Sequence, residues 1–181
     1  STATLTVNGV EKLSFEFAGT INDGQLGLGT RDAITVFDDV AIISVATLPH
    51  TDDFSDQKAD FFQPQTGDWF VTSGARYRGE SAGGAAVTLL PVAEPLPQGL
   101  QIQPIIRGKL SGAASNGMIL FDYPDGNDFK FAGGDFDLGQ WQIGHFDGAN
   151  WIVDASFAEA IAANVDYSVE VLIENGTATL S

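Results

Sequence analysis

The chain is 181 residues long and carries 24 acidic against 8 basic side chains, a formal charge of −16 at pH 7. That balance argues against nucleic acid or an anionic membrane face as a partner, because both need basic surface. With no cysteine there is no disulfide, no Cys-ligated zinc and no thiol nucleophile. An apolar content of 44% is too high for a disordered acidic tail, and 21 glycines suit an all-β domain with many tight turns. No run approaches 18 apolar residues and Ser1 opens no signal peptide, so the expectation is a soluble fragment without membrane insertion.

Period-2 alternation dominates from the start. Thr2–Val7 and Lys12–Phe17 alternate on either side of Asn8-Gly9, a hairpin pattern in which both turn residues tolerate positive φ. Val40–Ala46 is a continuous apolar run suited to a strand buried on both faces. Trp69–Thr72 and Arg76–Arg78 flank Ser73-Gly74 as a second hairpin. Further strands are expected at Ala86–Leu90, Leu100–Leu110, Gly117–Tyr123, Phe129–Ala132, Gln140–Phe146, Trp151–Ala155 and Tyr167–Ile173. Turns are expected at Pro124–Asn127, Gly133-Gly134 and Asp147-Gly148. Ser156–Ala163 has good helix formers and a capping box from Ser156 to Glu159, which predicts one helix of at most two turns. About a dozen short strands with regular turns define an all-β fold, an antiparallel β-sandwich or jelly roll.

The two ends of the chain match. Thr177-Ala178-Thr179-Leu180 repeats Thr2-Ala3-Thr4-Leu5, with an Asn-Gly pair before the second copy (Asn175-Gly176) and after the first (Asn8-Gly9). Joining the ends would give three alternating strands linked by two Asn-Gly turns. The simplest account is a tandem array with a period near 175 residues, the offset between Thr2 and Thr177, cut inside a repeat. On this reading residues 1–46 carry the last strands of one jelly roll, 47–52 form the joint, and 53–181 carry the remainder of the next. Residues 1–46 then either close the same sandwich as a circular permutant or are donated to a neighbouring copy.

Reordered to begin near Thr51 and end near Ala46, the sequence resembles the laminin-G-like or concanavalin A-like jelly roll of large bacterial surface and secreted proteins. The resemblance is carried by Asp52-Asp53-Phe54, Gly67-Asp68-Trp69 and Ser73–Tyr77. Met118–Tyr123, Asn127–Gly133, Gln140–His145, Asn150-Trp151 and the closing Val36–Ile42 add to it. It implies the concanavalin A-like fold and a Ca²⁺ site. The site would take Asp52 or Asp53 near the first strand, the backbone carbonyl of Gly74, and Asp38 or Asp39 in the last strand.

A sugar site needs aromatic platforms together with hydrogen-bonding polar groups. Tyr77, Asp122, Tyr123, Trp141, His145 and Trp151 offer such a set on one sheet, whereas Trp69, Phe129 and Phe131 read as core. No strand carries the paired glutamates of a retaining glycosidase, and Asp135-Phe136-Asp137 sits among glycines as a bend. With His50 and His145 the only histidines, a Ser-His-Asp site has little to draw on, and His50 reads as a surface residue. The expectation is a non-enzymatic extracellular or cell-surface module. In the main reading it is a structural or adhesive repeat that joins neighbouring copies, stiffened by Ca²⁺. In the alternative it binds glycans as a lectin-like module.

Overall fold

The computed structural model describes residues 2–7, 10–16, 30, 36, 48–81, 83–92, 96, 99–108, 115–174 and 177–181; the first two ranges are described as backbone, with Phe15 in addition. Asp38, Asp39 and the strand expected at 40–46 lie outside the described residues. The chain divides into two compact units, Ser1–Ile43 and Ser44–Ser181.

The first unit holds β1 (Thr2–Val7) and β2 (Val10–Glu16), paired antiparallel from Val7↔Val10 to Thr2↔Glu16 with one bulge between Leu5 and Thr6. The hairpin read around Asn8-Gly9 is therefore formed.

In the second unit β3 (Gln63–Thr66) pairs with β6 (Val87–Leu89), and β4 (Asp68–Thr72) with β5 (Arg76–Glu80) around the expected turn. Next come β7 (Gly99–Ile102), β8 (Ile105–Ile106), β9 (Asn116–Asp125), β10 (Asp128–Asp135), β11 (Gln140–Phe146) and β12 (Trp151–Ala158). The series ends with β13 (Tyr167–Ser168), β14 (Val171–Glu174) and β15 (Thr177–Leu180). The largest sheet runs β12-β11-β10-β9; a second runs β15-β14-β7, and β13 pairs with β8. Every pairing is antiparallel.

Alternation explains the central strand. Along β10 Phe129 and Phe131 are buried while Lys130 between them is exposed, as a period of two requires. The phenylalanines meet aromatic neighbours: Phe129 stacks on Tyr123 at 5.2 Å and on Phe146 at 5.1 Å, and Phe131 meets Trp151 at 4.9 Å. Val169, Val171, Ile161 and Phe136 are buried as well.

Three expectations are corrected. Gly133-Gly134 is no turn: both lie inside β10, paired with Met118 and Gly117 on one side and Gln142 and Trp141 on the other. A Cβ on Gly133 would land on the Gly117 carbonyl oxygen, so these glycines serve close strand approach. Ser156–Ala163 is no helix, because the ladder Ile143↔Ala155, Gln142↔Ser156, Trp141↔Phe157 and Gln140↔Ala158 carries β12 through Ala158. Tertiary pairing overrides the helix propensity of a segment too short to nucleate a stable helix alone. Among the described residues there is no helix at all, and none long and apolar enough to cross a membrane. The long strands expected at Leu100–Leu110 and Tyr167–Ile173 are each split, into β7 and β8 and into β13 and β14. Pro104 lacks an N–H to continue a ladder, and its carbonyl accepts from the Val169 N–H at 3.0 Å where the other strand breaks.

One ion cluster ties distant segments of this unit. Asp166 receives both Arg107 (2.7 Å) and Arg76 (2.9 Å), each as a two-pronged pair. The Arg107 and then the Arg76 guanidinium hold the Asp166 carboxyl far below the usual carboxylate range. His50, read as a surface residue, is half-buried and packs edge-on against Phe61 at 5.0 Å.

Candidate glycan-binding site

A cleft of about 540 Å³ opens where the ends of β11 and β12 meet the segment through β13 and the end of β15. Its volume lies within the range of small-molecule sites. Trp141 and Phe157 line it as a directly opposed cross-strand pair, so their side chains share one face of the sheet. Phe157 is 67% exposed. Trp141 is held from the side: Tyr167 meets it edge-on at 5.6 Å, and its indole Nε1 donates to Glu159 Oε2 at 2.6 Å. Glu159 and Ser168 add polar groups to the lining; Gln142 and Ser156, the next pair of the ladder, border the cleft but carry their side chains on the other face of the sheet. Aromatic surface beside hydroxyl and carboxylate groups is the chemistry that recognises a sugar ring, whose C–H faces pack on aromatics and whose hydroxyls both donate and accept.

The six residues expected to bind sugar do not gather in one place. Trp141 lines the cleft. Tyr77 sits in a separate aromatic cluster, 5.5 Å from Phe54, 5.0 Å from Phe62 and 5.0 Å from Trp69, with its hydroxyl 3.2 Å from that of Thr88. Tyr123 and Trp151 both pack against Phe129, so they build the core rim. Trp151 keeps 42% of its surface exposed.

Asp122 and His145 belong to a polar row across the four-stranded sheet. Asp122 of β9 pairs with Lys130 of β10, Lys130 lies opposite His145 of β11, and His145 Nδ1 is 2.7 Å from Asp154 of β12. Asp122 has a positive φ of 47°, close to the register shift between Asp128 and Lys130, in a conformation that aspartate tolerates.

Of the calcium set, Asp52, Asp53 and Gly74 lie among the described residues. Asp52 Oδ1 accepts from the Phe54 N–H and Asp53 Oδ1 from the Ser55 N–H, two local turns in succession. The Ser55 N–H lowers the Asp53 pKa, with the Ser55 hydroxyl adding to it. Gly74 stands in the β4–β5 turn, and Asp38 and Asp39 are outside the described residues. Among the described residues no three His, Asp or Glu side chains come together as a metal group. Asp135 and Asp137 form the bend read from sequence: Asp135 Oδ1 accepts from the Asp137 and Leu138 N–H groups, while Asp137 Oδ2 accepts from Ser115 N–H.

Phe157, Glu159 and Tyr167 escaped the sequence reading, the first two because they fell in the expected helix. Trp151–Phe157 has β-branched Ile152 and Val153 and no helical period, which is the signal that would have extended the strand.

No family model matches the chain, and no curated protein does. Among solved structures the chain is similar to the carbohydrate-binding module CBM66 from Bacillus subtilis. The identity is 17%, the TM-score 0.58, and the match covers 67% of this chain and 73% of that one. That likeness shows the fold, an antiparallel β-sandwich.

Proposed function

We propose that this chain is a non-catalytic, extracellular carbohydrate-binding module, with the cleft walled by Trp141 and Phe157 as its glycan site. The observation that carries the reading is that opposed aromatic pair beside the Glu159 carboxylate in one cleft. The sandwich fold it shares with a carbohydrate-binding module supports the same class. Glu159 is held by the indole N–H, so it is oriented to accept from a hydroxyl with its remaining lone pairs. Electrophoretic retardation in gels cast with a panel of soluble plant and bacterial polysaccharides tests this. Retardation is expected in at least one gel and loss of it in Trp141→Ala; a protein that no polysaccharide retards refutes the reading.

A second reading is favoured by the repeated Thr-Ala-Thr-Leu strand. In it the chain is a segment of a laminin-G-like tandem array in permuted order, with Ca²⁺ at Asp52 or Asp53, Gly74, and Asp38 or Asp39. Glycan binding and repetition are compatible, since arrays of binding modules gain avidity without new contacts.

A further inference from the structure

The two copies of Thr-Ala-Thr-Leu use opposite edges of the same strand. Directly after β15, Ser181 exchanges both backbone hydrogen bonds with Glu170, at 2.8 and 3.0 Å. Hydrogen-bonded and non-hydrogen-bonded pairs alternate along an antiparallel ladder. Thr179 and Thr177 therefore also face β14, while Ala178 and Leu180 turn their N–H and C=O groups to the other edge. There β15 ends its sheet among the described residues. In the first unit the pair Val7↔Val10 closes across two residues, which only a hydrogen-bonded pair can do. Counting back along β1, Leu5 and Ala3 face β2, and Thr2, Thr4 and Thr6 face away. With the offset of 175 residues between Thr2 and Thr177, Ala3 corresponds to Ala178 and Leu5 to Leu180. The edge that β1 gives to β2 is the edge that β15 leaves open.

The side-chain rows agree with this. In the second unit Ile102, Val171 and Leu180 stand in one cross-strand row and Leu100, Ile173 and Ala178 in the next but one. Transferring the β1–β2 register onto β15 would place Leu13 beside Leu180 and Phe15 beside Ala178, extending both apolar rows. It would also place Ser14 beside Thr179 in the row of Gln101 and Leu172. A slip of one residue would put Leu13 and Phe15 on the opposite face, so the register is specified by the pattern.

We infer that the open edge of β15 is a docking site for the β2 strand, Val10–Glu16, of a second copy of this chain, with β15 taking the place that β1 holds in its own hairpin. The exchanged pairs are chemically the same, because the residues are. Among the described residues β2 has β1 as its only strand neighbour, and on β15 it would enter a four-stranded sheet with a continuous apolar face. The contact is head-to-tail, so it propagates along a line of copies unless a ring closes. This deepens the repeat reading; it shares Leu180 with the lining of the glycan cleft but uses the backbone edge of β15, not Trp141, Phe157 or Glu159. Docking between separate chains is decided by cross-linking, whereas an array is decided by the length of the parent polypeptide, so either can fail alone.

The chain has no cysteine, which makes the register directly testable. Ser14 and Thr179 would form a non-hydrogen-bonded pair, with Cα atoms about 4.5 Å apart and within disulfide reach. Mixing Ser14→Cys with Thr179→Cys under mild oxidation is expected to give a disulfide-linked heterodimer. Its yield should be several-fold above that of Ser14→Cys mixed with Ser73→Cys, whose cysteine lies in the exposed β4–β5 turn. A yield no higher than this control overturns the inference. So does a double variant, Ser14→Cys with Thr179→Cys, that links only within one chain. As an independent measurement, Ala178→Pro removes the N–H facing the open edge and leaves the β14 pairs in place. Light scattering is expected to show self-association of the wild-type chain that rises with concentration and is lost in Ala178→Pro; wild-type protein that stays monomeric throughout overturns the proposal.

Discussion

Two phenylalanines that look alike in the sequence should behave in opposite ways. Phe131 is 1% exposed, packs against Trp151 and lies opposite Gly144, where an added Cβ would strike its ring. Phe131→Ala removes a fully buried ring from a strand whose neighbours on both sides are fixed by ladders, so little collapse can fill the void. The expected cost is about 3–5 kcal/mol. At about 2–4 °C per kcal/mol for a chain of this size, that is a fall in Tm on the order of 6–20 °C. Phe157 is 67% exposed, and Phe157→Ala loses chiefly its cross-strand pairing with Trp141, worth about 0.2–1 kcal/mol. Its Tm should therefore fall by no more than about 4 °C. Binding should rank the two the other way. Losing one aromatic wall of the cleft should weaken the affinity for a retained polysaccharide by about tenfold, or about 1.4 kcal/mol. Phe131→Ala, assayed well below its melting temperature, should keep most of its affinity. Differential scanning fluorimetry and gel retardation on the same preparations make the comparison. A Phe157→Ala protein that melts as low as Phe131→Ala, or that binds as the wild type does, refutes the assignment of Phe157 to the cleft.

Three further outcomes follow from other parts of the molecule. The Asp166 carboxyl has a lowered pKa, so its pairing stabilises the fold above the unfolded-state value near 4 and the contribution is lost as pH falls below it. The Tm gap between wild type and Asp166→Asn should be widest near neutrality and shrink from about pH 4 downwards; a constant gap from pH 7 to pH 2 would count against the Arg76–Asp166–Arg107 clamp. Gly133→Ala should destabilise by about 1–3 kcal/mol because the new Cβ on β10 would push the Gly117 carbonyl of β9 away, whereas Gly83→Ala, with open space around its Cβ, should be neutral or slightly stabilising in the same denaturant titration. For the calcium set, excess Ca²⁺ should raise Tm and chelator lower it, since a ion bound only by the folded state adds stability; identical melting curves would remove Asp38, Asp39, Asp52, Asp53 and Gly74 as ligands.

Most of the architecture was legible because strands write their exposure into the sequence every second residue. Alternation around Asn8-Gly9 and Asn175-Gly176 marked two hairpins that the structure contains, and β11 spans the residues expected of it, Gln140–Phe146. Strand ends were less legible where a competing local signal was present. Ser156–Ala163 carries helix formers, yet it is too short to hold a helix alone, and Gln140, Trp141 and Gln142 offer a ladder that residues 156–158 complete. Gly133-Gly134 looks like a turn until the neighbouring backbones are placed, when it becomes a point of close strand approach.

The candidate site follows the same division. Composition and period alone determined an acidic, cysteine-free, antiparallel all-β chain, and they singled out Trp141 as a residue able to meet a sugar. Which aromatics share a cleft was decided only by pairing between strands. Register put Phe157 across from Trp141, and the contact of Glu159 with the indole spans 18 residues of sequence. The same geometry sent Tyr77 to a cluster of its own, and Tyr123 and Trp151 to the rim of the core. A strand's period tells which face a side chain takes, but its neighbours across the sheet belong to other segments, and only the folded chain brings those together.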